Sequence, residues 1–374
     1  MKPSIRRAGD RGAAPARTFA AWSCTRITAF VALIVALAPF AYAASAPLQP
    51  GSFIGLRASL VRVEATRERG GVSLGTGITV APAIVVTNCH VMRDAATIRI
   101  SGGGRLWDVA EQHADVNHDV CFLHVPEWRG PSVVLGERDA LQLGQPVAAI
   151  GFTGGMGMSL RFGNVRALHV LDGGRIIESD TAFTSGASGG GLFDSTGTLV
   201  GLLTFRSRGE TGTYYALPVG WIRDDMPTDQ QWDAIHPLRD AMPFWQRDVA
   251  TLPYFMRAPP LYAEGRWDEL IELTERWSAS DPRDPEPLRV RGDALRKMDR
   301  NAPAVGSYTE ALHIAPNDAR AWYGLALAYA GLGDVAASAH AESTLASFDP
   351  ALAARLHAEV EGLHRPRAGS LRSE

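Results

Sequence analysis

Hydrophobic positions follow two different patterns along the chain, one in each half. Up to about residue 224, short apolar runs rich in β-branched residues alternate with glycine and polar residues, which predicts β-strands, as at 61–63, 98–100 and 165–168. Prolines then punctuate a connector that contains tryptophan, and helical periodicity follows it. The pattern predicts a multidomain chain with an all-β domain at 52–224, a linker at 225–250 and an all-α domain at 251–365.

The helical part contains a repeat. Pro282, Pro316 and Pro350 are spaced 34 residues apart, which is the period of tetratricopeptide (TPR) repeats. Trp322 and Tyr329 take the aromatic positions of one unit, where packing between paired helices is their expected role. We therefore expect TPR-like helix pairs whose concave groove suits a peptide or a partner protein.

The N-terminus has the features of an export signal. Several arginines precede an apolar run at 27–40, which ends in Ala41-Tyr42-Ala43. That run is shorter than the roughly 20 residues that a membrane-spanning helix needs. The sequence predicts a signal peptide at 1–43 and a periplasmic or secreted protein with no stable membrane span after cleavage; an uncleaved anchor is the alternative.

Three motifs in the β region carry candidate chemistry, in the order His90, Asp119, Ser188. His90 follows the apolar run Ile84-Val85-Val86-Thr87, and Asp119 opens the apolar run 120–123. Ser188 lies in Ser185-Gly186-Ala187-Ser188-Gly189-Gly190, where glycines permit a tight turn that exposes the hydroxyl. A serine hydroxyl needs a neutral imidazole to take its proton, and a carboxylate to orient that imidazole. The three motifs together predict a Ser-His-Asp peptidase.

Two other interpretations compete with this one. Gly186-Ala187-Ser188-Gly189-Gly190 also satisfies the Gly-x-Ser-x-Gly pattern of α/β-hydrolases, but those enzymes place the acid and the histidine after the serine. The histidines after Ser188 lie in the linker or in the helical region and lack a strand-end context. The second alternative is a catalytically inert, peptidase-like scaffold that acts through its TPR groove.

The β region resembles the chymotrypsin-fold peptidases of the bacterial HtrA/Deg type. The resemblance is carried by the triad motifs and by Gly75-Thr76-Gly77-Ile78, Thr87-Asn88-Cys89-His90-Val91 and Ala216-Leu217-Pro218-Val219. It implies a domain of two β-barrels. This sequence departs from the family at Ser185, Ala187 and Gly191, and it has helical repeats where the family usually carries PDZ domains, so the family's assembly and activation are not carried over.

The same resemblance implies two further groups of site residues. The backbone N–H groups of Gly186 and Ser188 are expected to form the oxyanion hole. Ala182, six residues before the nucleophile, is expected to line the primary substrate pocket, and Phe183 to narrow it. Because Ala182 carries no acid, we expect cleavage after small or medium apolar residues rather than after lysine or arginine.

Signal cleavage would remove Cys24 and leave Cys89 and Cys121 in an exported protein. Both flank the proposed acid-base pair, and a hydrogen bond between His90 and Asp119 would bring their strands side by side. The sequence therefore favours a Cys89–Cys121 disulfide, with two free buried cysteines as the alternative.

Composition changes this picture little. The chain has 374 residues and a formal net charge of −3, so no basic field indicates nucleic-acid binding. No metal or organic cofactor is implied. The sequence predicts an exported serine endopeptidase that acts on protein or peptide substrates, with a substrate or partner recruited by the repeats.

Overall fold

Short β-branched runs form two antiparallel sheets, and the amphipathic C-terminal runs form helices that pack in pairs. The computed structural model describes residues 50–138, 140–154, 157–206 and 213–364. The predicted signal peptide lies outside these residues. Within them, no helix has the length and the apolar character needed to cross a membrane.

The strands of the first sheet are β1 (Leu60–Arg67), β2 (Val72–Ala81), β3 (Ile84–Thr87), β4 (Ala95–Gly102), β5 (Arg105–Asp108), β6 (Glu111–Asp115), β7 (Val120–His124) and β14 (Asp233–Ala234). These eight strands are arranged in the order β14-β6-β7-β3-β2-β1-β4-β5. Val109 donates its N–H to the Ile98 carbonyl (3.0 Å), and Ala110 donates to the His124 carbonyl (2.9 Å). The adjacent residues Val109 and Ala110 thus link β4 to β7, where a closed barrel would have a continuous ladder. The first of the two expected barrels is thus an incompletely closed sheet.

The second sheet is a closed barrel in the order β10-β13-β12-β11-β8-β9. Its strands are β8 (Pro146–Thr153), β9 (Gly157–Leu171), β10 (Gly174–Ser179), β11 (Gly191–Phe193), β12 (Leu199–Arg206) and β13 (Tyr214–Pro218). A short helix, α1 (Val219–Asp224), follows β13. Fully buried apolar side chains such as Phe122 and Phe193 belong to one core cluster that spans both sheets.

In the part of the chain that the structure describes, seven helices follow the connector. They are α2 (Tyr254–Ala263), α3 (Trp267–Ser280), α4 (Glu286–Lys297), α5 (Asn301–Ile314), α6 (Ala319–Gly331), α7 (Val335–Ala346) and α8 (Pro350–His364). Tyr308 is fully buried between α4 and α6, where an added Cβ at Gly292 or Gly324 would meet its ring within 3 Å. The predicted fold class, a chymotrypsin-like β domain followed by a helical domain, is confirmed; the assignment of the helices to the TPR family stays a prediction.

Candidate active site

The structure brings His90 and Asp119 together at the end of β3. His90 lies in a 3-10 turn, Cys89–Val91, directly after that strand, and Asp119 directly precedes β7. Because β3 and β7 are paired, with Thr87 opposite Cys121, the two side chains meet. His90 Nδ1 lies 2.7 Å from Asp119 Oδ2, and the backbone N–H of His90 donates to Asp119 Oδ1 at 2.8 Å.

Asp119 is fully buried and has a positive φ of 62°, a conformation that is uncommon outside glycine. A buried carboxylate is unfavourable unless hydrogen bonds replace its water. Asn88, also buried, holds the local backbone by donating to the Asp119 carbonyl at 3.0 Å and to Thr204 Oγ1 at 3.0 Å. The backbone at Asp119 is thus tied to Asn88, which is itself tied to Thr204 on β12.

Ser188 lies in the loop between β10 and β11, on the second barrel. Its hydroxyl donates to the Thr204 carbonyl at 3.2 Å. No hydrogen bond between Ser188 and His90 is present among the described residues. In peptidases without substrate, hydrogen bonds between catalytic groups are often long or missing, and they tighten when substrate binds.

Thr76, on β2 of the first sheet, holds in place the loop that carries Ser188. Its N–H donates to the Ser188 carbonyl and its hydroxyl to the Gly186 carbonyl, both at 2.8 Å. Gly189 packs so closely that an added Cβ would lie 2.1 Å from the Thr76 carbonyl oxygen. The loop that carries Ser188 therefore depends on a residue of the other sheet.

Gly186 has a φ of 96°, which only glycine adopts readily, in a turn closed by the Ala187 N–H donating to the Thr184 carbonyl at 3.1 Å. No acceptor among the described residues takes the N–H of Gly186 or Ser188. Of the two expected pocket residues, Ala182 is exposed and Phe183 is buried in the barrel, with its ring 5.1 Å from that of Tyr214.

Cys89 and Cys121 form a disulfide with a Cα–Cα distance of 5.0 Å. Each cysteine lies within two residues of a member of the acid-base pair. The covalent link therefore joins the turn that carries His90 to the strand that follows Asp119.

Sequence reasoning missed Trp245, which comes from the connector. Its indole Nε1 donates to Asp119 Oδ2 at 3.1 Å, and its ring lies edge-on to the His90 ring with centroids 5.3 Å apart. Two tryptophans, Trp232 and Trp245, in a proline-punctuated segment are the sequence signal, and neither indicates Asp119 as a partner. A chain cut after residue 224 would keep the proposed triad and lose this contact.

A second histidine-carboxylate cluster lies where the barrel meets the helices. His169 on β9 faces Glu178 on β10 through Nε2 (3.1 Å) and Glu286 at the start of α4 through Nδ1. Arg320 on α6 donates to the other Glu178 oxygen at 2.7 Å. Sequence analysis gave His169 no catalytic role.

The charges of this cluster are balanced within the protein. Burial lowers the pKa of His169, but Glu286 and Glu178 outweigh that effect and raise the pKa to about 9. Burial opposes ionisation of Glu178, yet Arg320 and His169 keep its pKa well below the usual range. Within the described residues, His169, Glu178 and Glu286 are the one group with metal-ligand spacing, but both ring nitrogens already face carboxylates. We assign no metal to it.

Known proteins are similar to the β region of this chain. Residues 75–202 match the family described as a trypsin-like peptidase domain. The chain is 33% identical over 156 residues to a probable periplasmic serine endoprotease DegP-like of Halomonas elongata, covering 39% of this chain and 33% of that protein. It is 29% identical over 164 residues to the periplasmic serine endoprotease DegP of Salmonella typhimurium, covering 41% and 34%. The chain thus spans about a third of the length of these relatives.

Solved structures similar to this chain are also proteases. The active form of the Rv3671c protease from M. tuberculosis is 21% identical with a TM-score of 0.46, covering 53% of this chain and 93% of that one. The HtrA-type protease AlgW with a tripeptide is 24% identical with a TM-score of 0.45, covering 48% and 62%. The β domain described above carries the trypsin-like peptidase domain predicted from the sequence.

Proposed function

We propose that this chain, which contains a trypsin-like peptidase domain similar to those of DegP proteins, is an exported serine endopeptidase that works by Ser-His-Asp acyl transfer. The observation that supports this most directly is the His90–Asp119 pair at 2.7 Å, facing a serine loop held by the opposite sheet. The periplasmic location in the relatives' names and the predicted signal peptide support export to the periplasm or the medium.

In the proposed mechanism, Ser188 attacks the substrate carbonyl as His90 takes its proton through Nε2. Asp119 holds the Nδ1 proton, which fixes the tautomer, and stabilises the imidazolium that forms. The tetrahedral oxyanion accepts hydrogen bonds from the N–H groups of Gly186 and Ser188, each worth about 3–4 kcal/mol in comparable sites. His90 then returns the proton to the leaving amine, and water repeats the sequence to release the acyl group.

The assignment is tested by labelling the mature protein with a fluorophosphonate probe and measuring cleavage of short peptides. Ser188→Ala is expected to abolish both while the protein stays folded, because only the attacking oxygen is lost. Ser195→Ala, in the turn between β11 and β12, is the matched control and should behave as wild type. Cleavage that persists in Ser188→Ala would refute the triad, and a wild-type protein that neither reacts nor cleaves would identify an inert scaffold.

For specificity, we infer that the primary pocket at Ala182 accepts small or medium apolar side chains. The support is that Ala182 carries no acid to pair with lysine or arginine, and that the ring of the adjacent Phe183 is buried. A peptide-library profile should show cleavage after valine, alanine or leucine, and Ala182→Asp should add cleavage after arginine or lysine. A wild-type preference for arginine or lysine would contradict the assignment.

For the helices, we propose that they recruit a protein substrate or a partner. The support is a groove of about 360 Å³ between α5, α6 and α7, lined by Leu312, Trp322, Leu325, Tyr329 and Ala341 among others. Tyr329→Ala should slow cleavage of casein and leave cleavage of short peptides unchanged. Equal loss on both substrates would show that the helices support the fold and do not recruit.

A further inference from the structure

The connector between β13 and the helices returns to the active site and is anchored there. Asp233 and Ala234 pair with β6, and the N–H of Leu238 donates to the Arg93 carbonyl at 2.7 Å. Further along, the N–H of Phe244 donates to the Asn117 carbonyl at 3.0 Å. These contacts place the 3-10 turn Phe244–Gln246 next to Asp119.

Within that turn, Trp245 shares an acceptor with the proposed general base. Asp119 Oδ2 accepts from His90 Nδ1 and from the indole N–H of Trp245, while Oδ1 accepts from the His90 backbone. Trp245 is the one donor to this carboxylate, among the described residues, that does not come from His90. It therefore limits rotation of the carboxylate independently of the histidine.

The indole itself is held by packing. Its ring is stacked on Phe205 at 5.1 Å with planes 13° apart, and Phe205 is stacked on Tyr215 at 4.7 Å. The edge contact with His90 adds a fourth ring to this stack of Tyr215, Phe205 and Trp245. A ring packed on one face and edge-on to the imidazole can occupy only a narrow range of positions, so its N–H remains directed at Asp119.

We propose that Trp245 is a positioning residue for the peptidase reaction, acting on His90 through Asp119. The proposal rests on the Ser-His-Asp function given above. The indole fixes the carboxylate in the orientation that holds His90, and its N–H withdraws part of the negative charge that stabilises the imidazolium. His90 is the titratable group that contacts Asp119 among the described residues, so loss of the indole N–H acts on its protonation.

The test uses the full mature chain with Trp245→Phe, which keeps an aromatic ring and removes the N–H. We expect kcat on a short peptide to fall roughly tenfold to a hundredfold, the effect of one hydrogen bond to a charged group, with KM little changed. The acidic limb of the pH–rate profile should move to higher pH, because the more concentrated charge on Asp119 favours protonated His90. Trp128→Phe is the matched control, since it loses a buried indole hydrogen bond, to Thr79 at 2.8 Å, that does not involve Asp119 or His90.

An unchanged kcat and an unmoved acidic limb in folded Trp245→Phe would overturn the role of Trp245 and leave the triad standing. Activity that survives Ser188→Ala would instead overturn the triad itself. A readout that needs no variant to fold is the indole N–H spectrum of isotope-labelled wild-type protein. One indole signal should shift with the same midpoint as the acidic limb, and a spectrum in which none does so would overturn the proposal.

Discussion

Among the histidines of this protein that contact carboxylates, His90 and His169 have surroundings that suit opposite tasks. His90 has one ring nitrogen paired with Asp119, and its side chain is 21% exposed. His169 has both ring nitrogens facing carboxylates, and its side chain is 2% exposed. An imidazole with one nitrogen unoccupied can take up and return a proton, whereas one that donates from both nitrogens stays protonated. On the proposed function, this contrast separates a general base, with one ring nitrogen open to the substrate, from a buried structural cation.

The largest expected effect comes from removing the proposed general base. His90→Ala should lower kcat by at least about 10⁴-fold while leaving the unfolding midpoint close to wild type, because the triad acts as a unit. Peptide hydrolysis and thermal unfolding measure the two quantities. His169→Leu, compared per folded molecule, should keep kcat within about tenfold; an equal loss in both variants would remove the distinction drawn here.

His169→Leu should instead cost stability. The change leaves Glu178 and Glu286 buried without their shared cation, and removal of one partner from such a cluster typically costs about 3–5 kcal/mol. Denaturant unfolding of the full chain measures this loss. Adding Glu286→Gln to His169→Leu should recover part of it, and a further decrease would show that the two side chains do not act together.

The two histidines should also differ in how pH affects stability. The pKa of His169 rises on folding from 6.5 to about 9, so its stabilisation is complete below pH 6.5 and is lost as the pH rises through 9. The shift corresponds to about 3 kcal/mol. Burial and the nearby Glu286 raise the pKa of Asp284 from 3.8 to about 6. Stability therefore also falls as the pH rises from about 4 to 6. Unfolding measured from pH 6.5 to 9 should show this slope in wild type and a flatter one in His169→Leu; equal slopes would contradict the assignment.

The smallest effect concerns the outer partner of the buried cluster. Arg320→Met removes the cation from one oxygen of Glu178, but the guanidinium side chain is 40% exposed and water screens the pair. A loss of about 1 kcal/mol is expected. Arg276→Met, at an exposed position of α3, is the control and should change stability by less than about 0.5 kcal/mol. A loss of the size expected for His169→Leu would mean that Arg320 contributes as much as His169 to the stability of the cluster.

The three residues of the proposed triad could be selected from sequence because each lies in a short motif suited to its chemistry, and the catalytic roles themselves stay a prediction. The β-strands before Ser188 and the proline period of the helices are local patterns of the same kind. Trp245 could not be predicted in this way, since its partner lies 126 residues earlier and no local pattern connects them. Thr76 and Asn88 appeared only as parts of a family resemblance, and their hydrogen bonds across the sheets depend on the pairing of distant strands. The ion cluster at His169 likewise needs residues from β9, β10, α4 and α6 to meet.

The position of Trp245 in the chain has a consequence for the order in which the enzyme is made. All three residues of the proposed triad precede the connector in the chain, so they can come together before Trp245 reaches them. On the role proposed for Trp245, a domain in that state lacks the indole donor to Asp119, and full turnover requires the segment that follows the barrel. The docking of the connector would then be the folding step that yields an efficient peptidase.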